Sequence, residues 1–100
     1  MIGMYILRCS DGSYYVGSTR NIDLRLSQHS TGLGSAYTRT RLPVALVYFL
    51  ECESVADAYA LEKKVHGWSR RKREALIAGR FDLLPGLSGS RYRRESQTSA

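Results

Sequence analysis

The turn segment Ser10-Asp11-Gly12-Ser13 constrains this chain more than any other feature, because it separates two stretches that alternate with period two. Tyr5, Leu7 and Cys9 alternate before it and Ser13, Tyr15 and Gly17 after it, the pattern of two strands joined as an antiparallel hairpin. Tyr5 and Tyr15 then lie on neighbouring strands. Asn21 follows as an N-cap for a helix over residues 21–30, with Ile22 and Leu26 turned inward. Arg25 and His29 stand four apart on that helix and project from one face. Two phenols, a guanidinium and an imidazole can therefore converge on one spot.

Punctuation sets out the remainder. Thr31-Gly32-Leu33-Gly34-Ser35 ends the first helix in a flexible loop, and Pro43 precedes a third strand. Residues 44–51 are almost continuously apolar, which predicts the most buried strand of the sheet. Ser54-Val55-Ala56-Asp57, a variant of the capping box, opens a helix to about Trp68, with Val55, Ala58, Leu61, Val65 and Trp68 as its apolar stripe. Ser69 caps a last helix that Gly79 closes, and Phe81, Leu83 and Leu84 are expected to pack back on the core. The order is β-β-α-β-α-α: an α/β (α+β) domain over residues 1–87, its small three-stranded antiparallel sheet flanked by helices. Residues 88–100 offer almost nothing to bury and read as a disordered basic tail.

One hundred residues with 43% hydrophobic content allow a single small domain. The longest apolar run, residues 44–50, is too short to span a bilayer, and residues 1–7 lack the features of a signal peptide, so the expected location is the cytoplasm. Cys9 and Cys52 have neither CxxC spacing nor histidine partners nearby, which predicts reduced thiols, no disulfide and no zinc. Fifteen Lys and Arg against nine Asp and Glu give a net charge of +6. Arg70-Arg71-Lys72-Arg73 is a contiguous basic run, and Arg39 and Arg41 lie in a loop. Such clusters attract polyanions through counterion release, although a basic run is also compatible with a solvated helix face.

Glu62 falls on the line of Val55, Ala58 and Val65, a carboxylate at the edge of an apolar stripe, where desolvation is costly without a compensating cation. A salt bridge to Arg25 or an i,i+4 pair with His66 would meet that need. So would a metal ion.

Met4-Tyr5-Ile6 and Tyr15-Val16-Gly17 resemble the two motifs that name the GIY-YIG nuclease superfamily. The stretch from Tyr5 to Ser13, Ser35-Ala36-Tyr37-Thr38-Arg39, Pro43, Leu46-Val47-Tyr48 and Trp68-Ser69-Arg70 resemble its small, stand-alone, UPF0213-like bacterial branch, over roughly residues 3–87. The resemblance implies a DNA endonuclease dependent on Mg²⁺ or Mn²⁺. Glu62 in Ala60-Leu61-Glu62-Lys63-Lys64 matches the metal-binding glutamate, and a lone carboxylate with waters suits Mg²⁺. Arg25 would neutralise charge growing on the phosphate. Tyr15 would position or deprotonate the water with Tyr5 assisting, or His29 would serve instead; packing alone is the expectation for Tyr14, Tyr48 and Tyr59. Two departures stand out: Met4 replaces a glycine, and the asparagine that many members carry after the glutamate is missing. Tyr37, Thr38 or a water would fill that gap.

Residues 35–41 would grip the substrate strand through Tyr37, Thr38, Arg39 and Arg41, with Arg70, Arg71, Lys72 and Arg73 holding phosphates further away. With no appended targeting domain, a monomer acting on single-stranded or structured DNA is expected over one acting on plain duplex, and Tyr37 could stack on an unpaired base. Two alternatives are a catalytically weak nucleic-acid-binding module of the same fold and a protein-interaction domain whose basic surface is incidental.

Overall fold

Alternation about the turn produces the hairpin: β1 (Gly3–Arg8) and β2 (Tyr14–Thr19) pair antiparallel, with Tyr5 opposite Gly17 and Leu7 opposite Tyr15. Asp11 closes the turn by accepting the Ser13 N–H at 3.0 Å and the Ser13 hydroxyl at 2.6 Å, and Gly12 takes φ +84, a left-handed conformation that favours glycine. The computed structural model describes residues 1–80, in two compact units: Met1–Gly67, and a second that begins at Trp68.

Side-chain caps place the helices of the first unit. Asn21 accepts the Leu24 N–H to start α1 (Ile22–Ser30), and Ser54 accepts the Asp57 N–H to start α3 (Val55–His66). Between them Ser35 accepts the Thr38 N–H and starts a single turn, α2 (Ala36–Arg39), where sequence suggested only loop. The expected order β-β-α-β-α-α holds with this one turn added. In the second unit Ser69 accepts the Lys72 N–H to start α4 (Arg70–Ile77), whose Ala75 and Leu76 are buried, and Gly79 follows at φ +76.

Strand burial departs from the sequence expectation. The sheet order is β2-β1-β3, so β3 (Ala45–Glu51) lies at an edge and has no fully buried residue, whereas β1 is buried from Gly3 to Leu7. An apolar run identifies a strand; its place in the sheet decides how far it is covered. Tyr5, Leu7 and Ile22 form a core cluster against which Tyr15, Leu26, Val44 and Phe49 pack. α3 packs against β1 and β2 and buries Ala58 and Val65, but it ends at His66, so Trp68 is not part of its stripe and Val55 is exposed. Tyr59 is likewise exposed, with the Lys63 ammonium 5.5 Å from its ring, and has no core role.

Phe81, Leu83 and Leu84, the boundary at residue 87 and the tail lie outside the described residues. No described helix is long and apolar enough to cross a membrane.

Candidate active site

Tyr5 sits on the central strand with its phenol over Gly17, its cross-strand partner. A Cβ at position 17 would meet the Tyr5 oxygen at 2.5 Å, so the glycine makes room for the hydroxyl. The Tyr5 hydroxyl is 2.9 Å from Nε2 of His29, and Nδ1 of the same ring is 2.8 Å from the Thr38 hydroxyl. Thr38 in turn lies 2.9 Å from the hydroxyl of Ser35, the residue that caps α2. This wall of the site is dry: Tyr5 is 2% exposed, and His29 and Thr38 are 0% exposed. Gly34 completes it, because a Cβ there would run into the imidazole.

Burial sets the protonation states. It raises the Tyr5 pKa well above the ordinary phenol range, reinforced by Tyr15 and Glu62 and opposed by the Arg25 charge. Burial also lowers the His29 pKa, and the Arg25 charge lowers it further. Both groups are therefore held neutral near pH 7.

Tyr15 links this wall to the surface. Its ring lies edge-on to His29 with centroids 5.2 Å apart, and is 6.3 Å from Tyr5 and 6.0 Å from Tyr37. Tyr37 is exposed, and the Arg41 guanidinium covers its ring at 3.8 Å. Arg41 also pairs with Asp11 at 3.1 Å and donates to the Tyr37 carbonyl at 2.9 Å, while its own carbonyl accepts the Ser10 N–H. The α2 turn is thus tied to the hairpin turn.

Arg25 differs from Arg41. It is half-buried, its charge reaches Tyr5 and His29, and its guanidinium makes no hydrogen bond or ion pair with a described residue. It lines a cleft of about 370 Å³ together with Ser18, Arg20, Leu24, Gln28 and Val55. Glu62, also half-buried, accepts a 2.6 Å hydrogen bond from the Ser18 hydroxyl and not the Arg25 or His66 pairing that sequence allowed. Its second oxygen takes no hydrogen bond from a described residue.

Tyr5, Tyr15, His29 and Tyr37 are in ring contact, and Arg25 and Glu62 are close enough to act on the Tyr5 hydroxyl electrostatically. Among the residues expected to touch nucleic acid, Arg39 is exposed on α2, and Arg41 is half-buried and already engaged. Thr38 needs correction: with no exposed surface and its hydroxyl bound to His29, it supports the imidazole and presents nothing to a strand. The basic run lies on α4 in the second unit, where Arg70 pairs with Glu74 at 3.1 Å and the Lys72 ammonium sits 4.6 Å from the Trp68 ring. Ser18 was not legible as a site residue, since a lone serine near a strand end carries no pattern, and Ser35 entered only as the first residue of the segment expected to grip the strand, not as a partner of Thr38.

No group of three or more His, Cys, Asp or Glu able to hold a metal is found among the described residues. The donor set is one carboxylate with one oxygen unengaged, which fits a hard cation that keeps most of its water, such as Mg²⁺, and not one caged by protein ligands.

Residues 1–75 match the family model of the GIY-YIG catalytic domain. The UPF0213 protein of Halalkalibacterium halodurans is 43% identical over 75 residues, 75% of this chain and 80% of its own length. That of Halobacterium salinarum is 38% identical over 74 residues, 74% of this chain and 96% of its own. The solution NMR structure of a UPF0213 protein from Bacillus halodurans superposes with a TM-score of 0.51 at 42% identity, covering 77% of this chain and 82% of that one. With three antiparallel strands, flanking helices and Tyr5 and Tyr15 on adjacent strands, the chain belongs to the GIY-YIG family, in its UPF0213 branch.

Proposed function

We propose that this protein is a metal-dependent DNA endonuclease that hydrolyses phosphodiester bonds, with single-stranded or branched DNA as its preferred substrate. The observation that carries the reading is Arg25: a half-buried guanidinium without a partner among the described residues, beside a neutral Tyr5–His29 hydrogen-bonded pair and the Glu62 carboxylate. A binding-only module has no use for a carboxylate facing a polyanion. Family membership supports the same class of chemistry, since the GIY-YIG superfamily is one of endonucleases.

Arg25 binds the scissile phosphate and neutralises the charge that grows on it in the transition state; its planar fork can engage two oxygens at once. Glu62, oriented by Ser18, is the residue that would hold Mg²⁺ or Mn²⁺. Such an ion, when bound, polarises the phosphate and stabilises the leaving oxygen. The Tyr15 hydroxyl orients the attacking water. As the water attacks, its proton passes to the Tyr5 oxygen while the Tyr5 proton passes to Nε2 of His29, so the phenol never has to exist as a free phenolate in a dry site. Arg39 and the stacked Tyr37–Arg41 pair contact the strand beside the cut, and a flat cation-backed ring is suited to an unpaired base.

The test is cleavage of end-labelled single-stranded, duplex and flap DNA with Mg²⁺, with Mn²⁺ and with chelator. Metal-dependent cutting, fastest on single-stranded or flap DNA and lost in Glu62→Ala, supports the reading. Binding to all three without cutting would make the protein a binding module instead.

A further inference from the structure

The dry wall contains one polar side chain that the reaction above does not use. Thr38 is 0% exposed, and its hydroxyl lies 2.8 Å from His29 Nδ1 and 2.9 Å from the Ser35 hydroxyl. We propose that Thr38 is a positioning residue that fixes the tautomer of His29, accepting the Nδ1 proton so that Nε2 faces Tyr5 as a bare acceptor. The proposal rests on the nuclease reading for its catalytic consequence, but the tautomer can be measured independently.

Hydrogen accounting favours this direction. Tyr5 is 2% exposed, and within the described residues His29 Nε2 is the one partner recorded for its hydroxyl, so the phenol hydrogen belongs on that nitrogen. A neutral imidazole with Nε2 accepting carries its proton on Nδ1 and needs an acceptor there. Thr38 Oγ1 supplies it. The Thr38 hydrogen then goes to Ser35, whose hydroxyl oxygen is 2.9 Å away and whose carbonyl is 3.5 Å away. Ser35 is only half-buried, so its own hydrogen can be given to water at no cost. In the free protein the opposite direction would leave the phenol hydrogen inside the dry wall without an acceptor among the described residues, which is the more expensive choice.

The single-turn helix gives the arrangement its geometry. Ser35 caps α2 by accepting the Thr38 N–H at 3.1 Å, which fixes the backbone that carries the Thr38 hydroxyl. Gly34, immediately before it, leaves the imidazole the space it occupies. A cap, a glycine and a threonine within five residues thus hold one ring in one protonation pattern. When His29 receives the Tyr5 proton at Nε2, the imidazolium keeps its Nδ1–H bond to Thr38 unchanged, and nothing has to rearrange.

The experiment uses the full chain labelled with ¹⁵N at histidine. In the wild type the imidazole nitrogens of His29 should report a protonated Nδ1 and an unprotonated Nε2 near pH 7. In Thr38→Val, Nδ1 faces methyl groups and the proton should move to Nε2, where the Tyr5 oxygen can accept it. Single-turnover cleavage should then fall by about tenfold or more, within the range that general-base catalysis supplies, at unchanged KM. Thr38→Ser, which keeps the hydroxyl, should restore both the tautomer and most of the rate. A wild-type spectrum with the proton on Nε2 overturns the proposal whatever the variants do, including a Thr38→Val that fails to fold. An unmoved tautomer in a folded Thr38→Val, or a moved tautomer with an unchanged rate, overturns it as well. If the wild type cuts no DNA, the nuclease reading fails and the spectra alone decide the assignment.

Discussion

The two walls of the site are built on opposite principles. On the dry wall Tyr5, His29 and Thr38 are buried, linked hydroxyl to imidazole to hydroxyl, and neutral. On the wet wall stand a guanidinium and a carboxylate, both half-buried: Arg25 lines the cleft, and Glu62 accepts one hydrogen bond, from Ser18. Desolvation explains the division. A proton relay benefits from burial, which removes competing water and keeps each tautomer defined, whereas a guanidinium and a carboxylate would lose several kcal/mol of hydration each in the same place. The charges stay where hydration, a phosphate or a metal ion can stabilise them, and their fields still reach the dry groups. Arg41 follows the same rule by another route, since its own carboxylate partner, Asp11, stands where a phosphate would.

The comparison breaks most sharply at Glu62. Glu62→Ala removes the carboxylate that would hold the metal, worth several kcal/mol of transition-state stabilisation, so cleavage should fall by about a thousandfold or more. Binding of single-stranded DNA, measured by fluorescence anisotropy, should stay the same or tighten, because a negative charge has left a site that meets phosphate. Full Mg²⁺-dependent activity in this variant would remove Glu62 from the site. Arg25→Ala comes next, with an expected loss of about a hundred- to a thousandfold in single-turnover rate. Arg25→Lys should recover only part of it, since an ammonium lacks the planar fork. Complete recovery would mean that Arg25 supplies net charge alone.

The dry wall should respond in stability as well as in rate. Gly34→Ala places a methyl group into the His29 ring, and overpacking of this kind costs about 1–3 kcal/mol, readable as a lower urea midpoint. An unchanged midpoint would show that the loop can move aside. Acid should act more gently. The folded-state pKa of His29 lies below its ordinary value of 6.5, so the unfolded chain takes up the proton first. The stability that depends on a neutral His29 is therefore complete above that value and is lost as pH falls through and below it. His29→Gln should flatten the acid limb of a stability profile, and an unaltered limb would assign it to other groups.

Much of this was legible in the sequence, for reasons that also explain the omissions. The hairpin was readable because period-two alternation and the Asp11-Gly12 turn are local signals, and the caps Asn21, Ser54 and Ser69 announce their helices in the same way. Strand and helix periodicity allowed Tyr5, Tyr15, Arg25 and His29 to converge, and the resemblance to the GIY-YIG superfamily singled them out as site residues. The burial of β3 was misjudged because sheet position is a long-range property that an apolar run does not encode. Thr38 was misassigned for a related reason: its partner His29 is nine residues away on another helix, and a threonine in a polar segment looks solvent-facing until the chain closes on it. Ser18 had no signal, since its hydrogen bond to Glu62 spans forty-four residues.

The basic run on α4 provides the smallest expected effect on chemistry and the clearest control for both walls. Arg70 is paired with Glu74, so Arg71 and Lys72 are the better pair to replace. If they hold phosphates away from the scissile bond, Arg71→Gln with Lys72→Gln should weaken DNA binding and flatten the dependence of log Kd on log salt by about one unit per lost contact. The single-turnover rate at saturating DNA should hardly change, because contacts equal in ground and transition states affect binding and not the chemical step. Lys72 also lies against Trp68, so circular dichroism is needed to show that α4 persists in the double variant. A collapse of the saturating rate with the helix intact would move the run into the active site, and the wet wall would then extend to α4. An unchanged salt slope would instead make the run a solvated helix face.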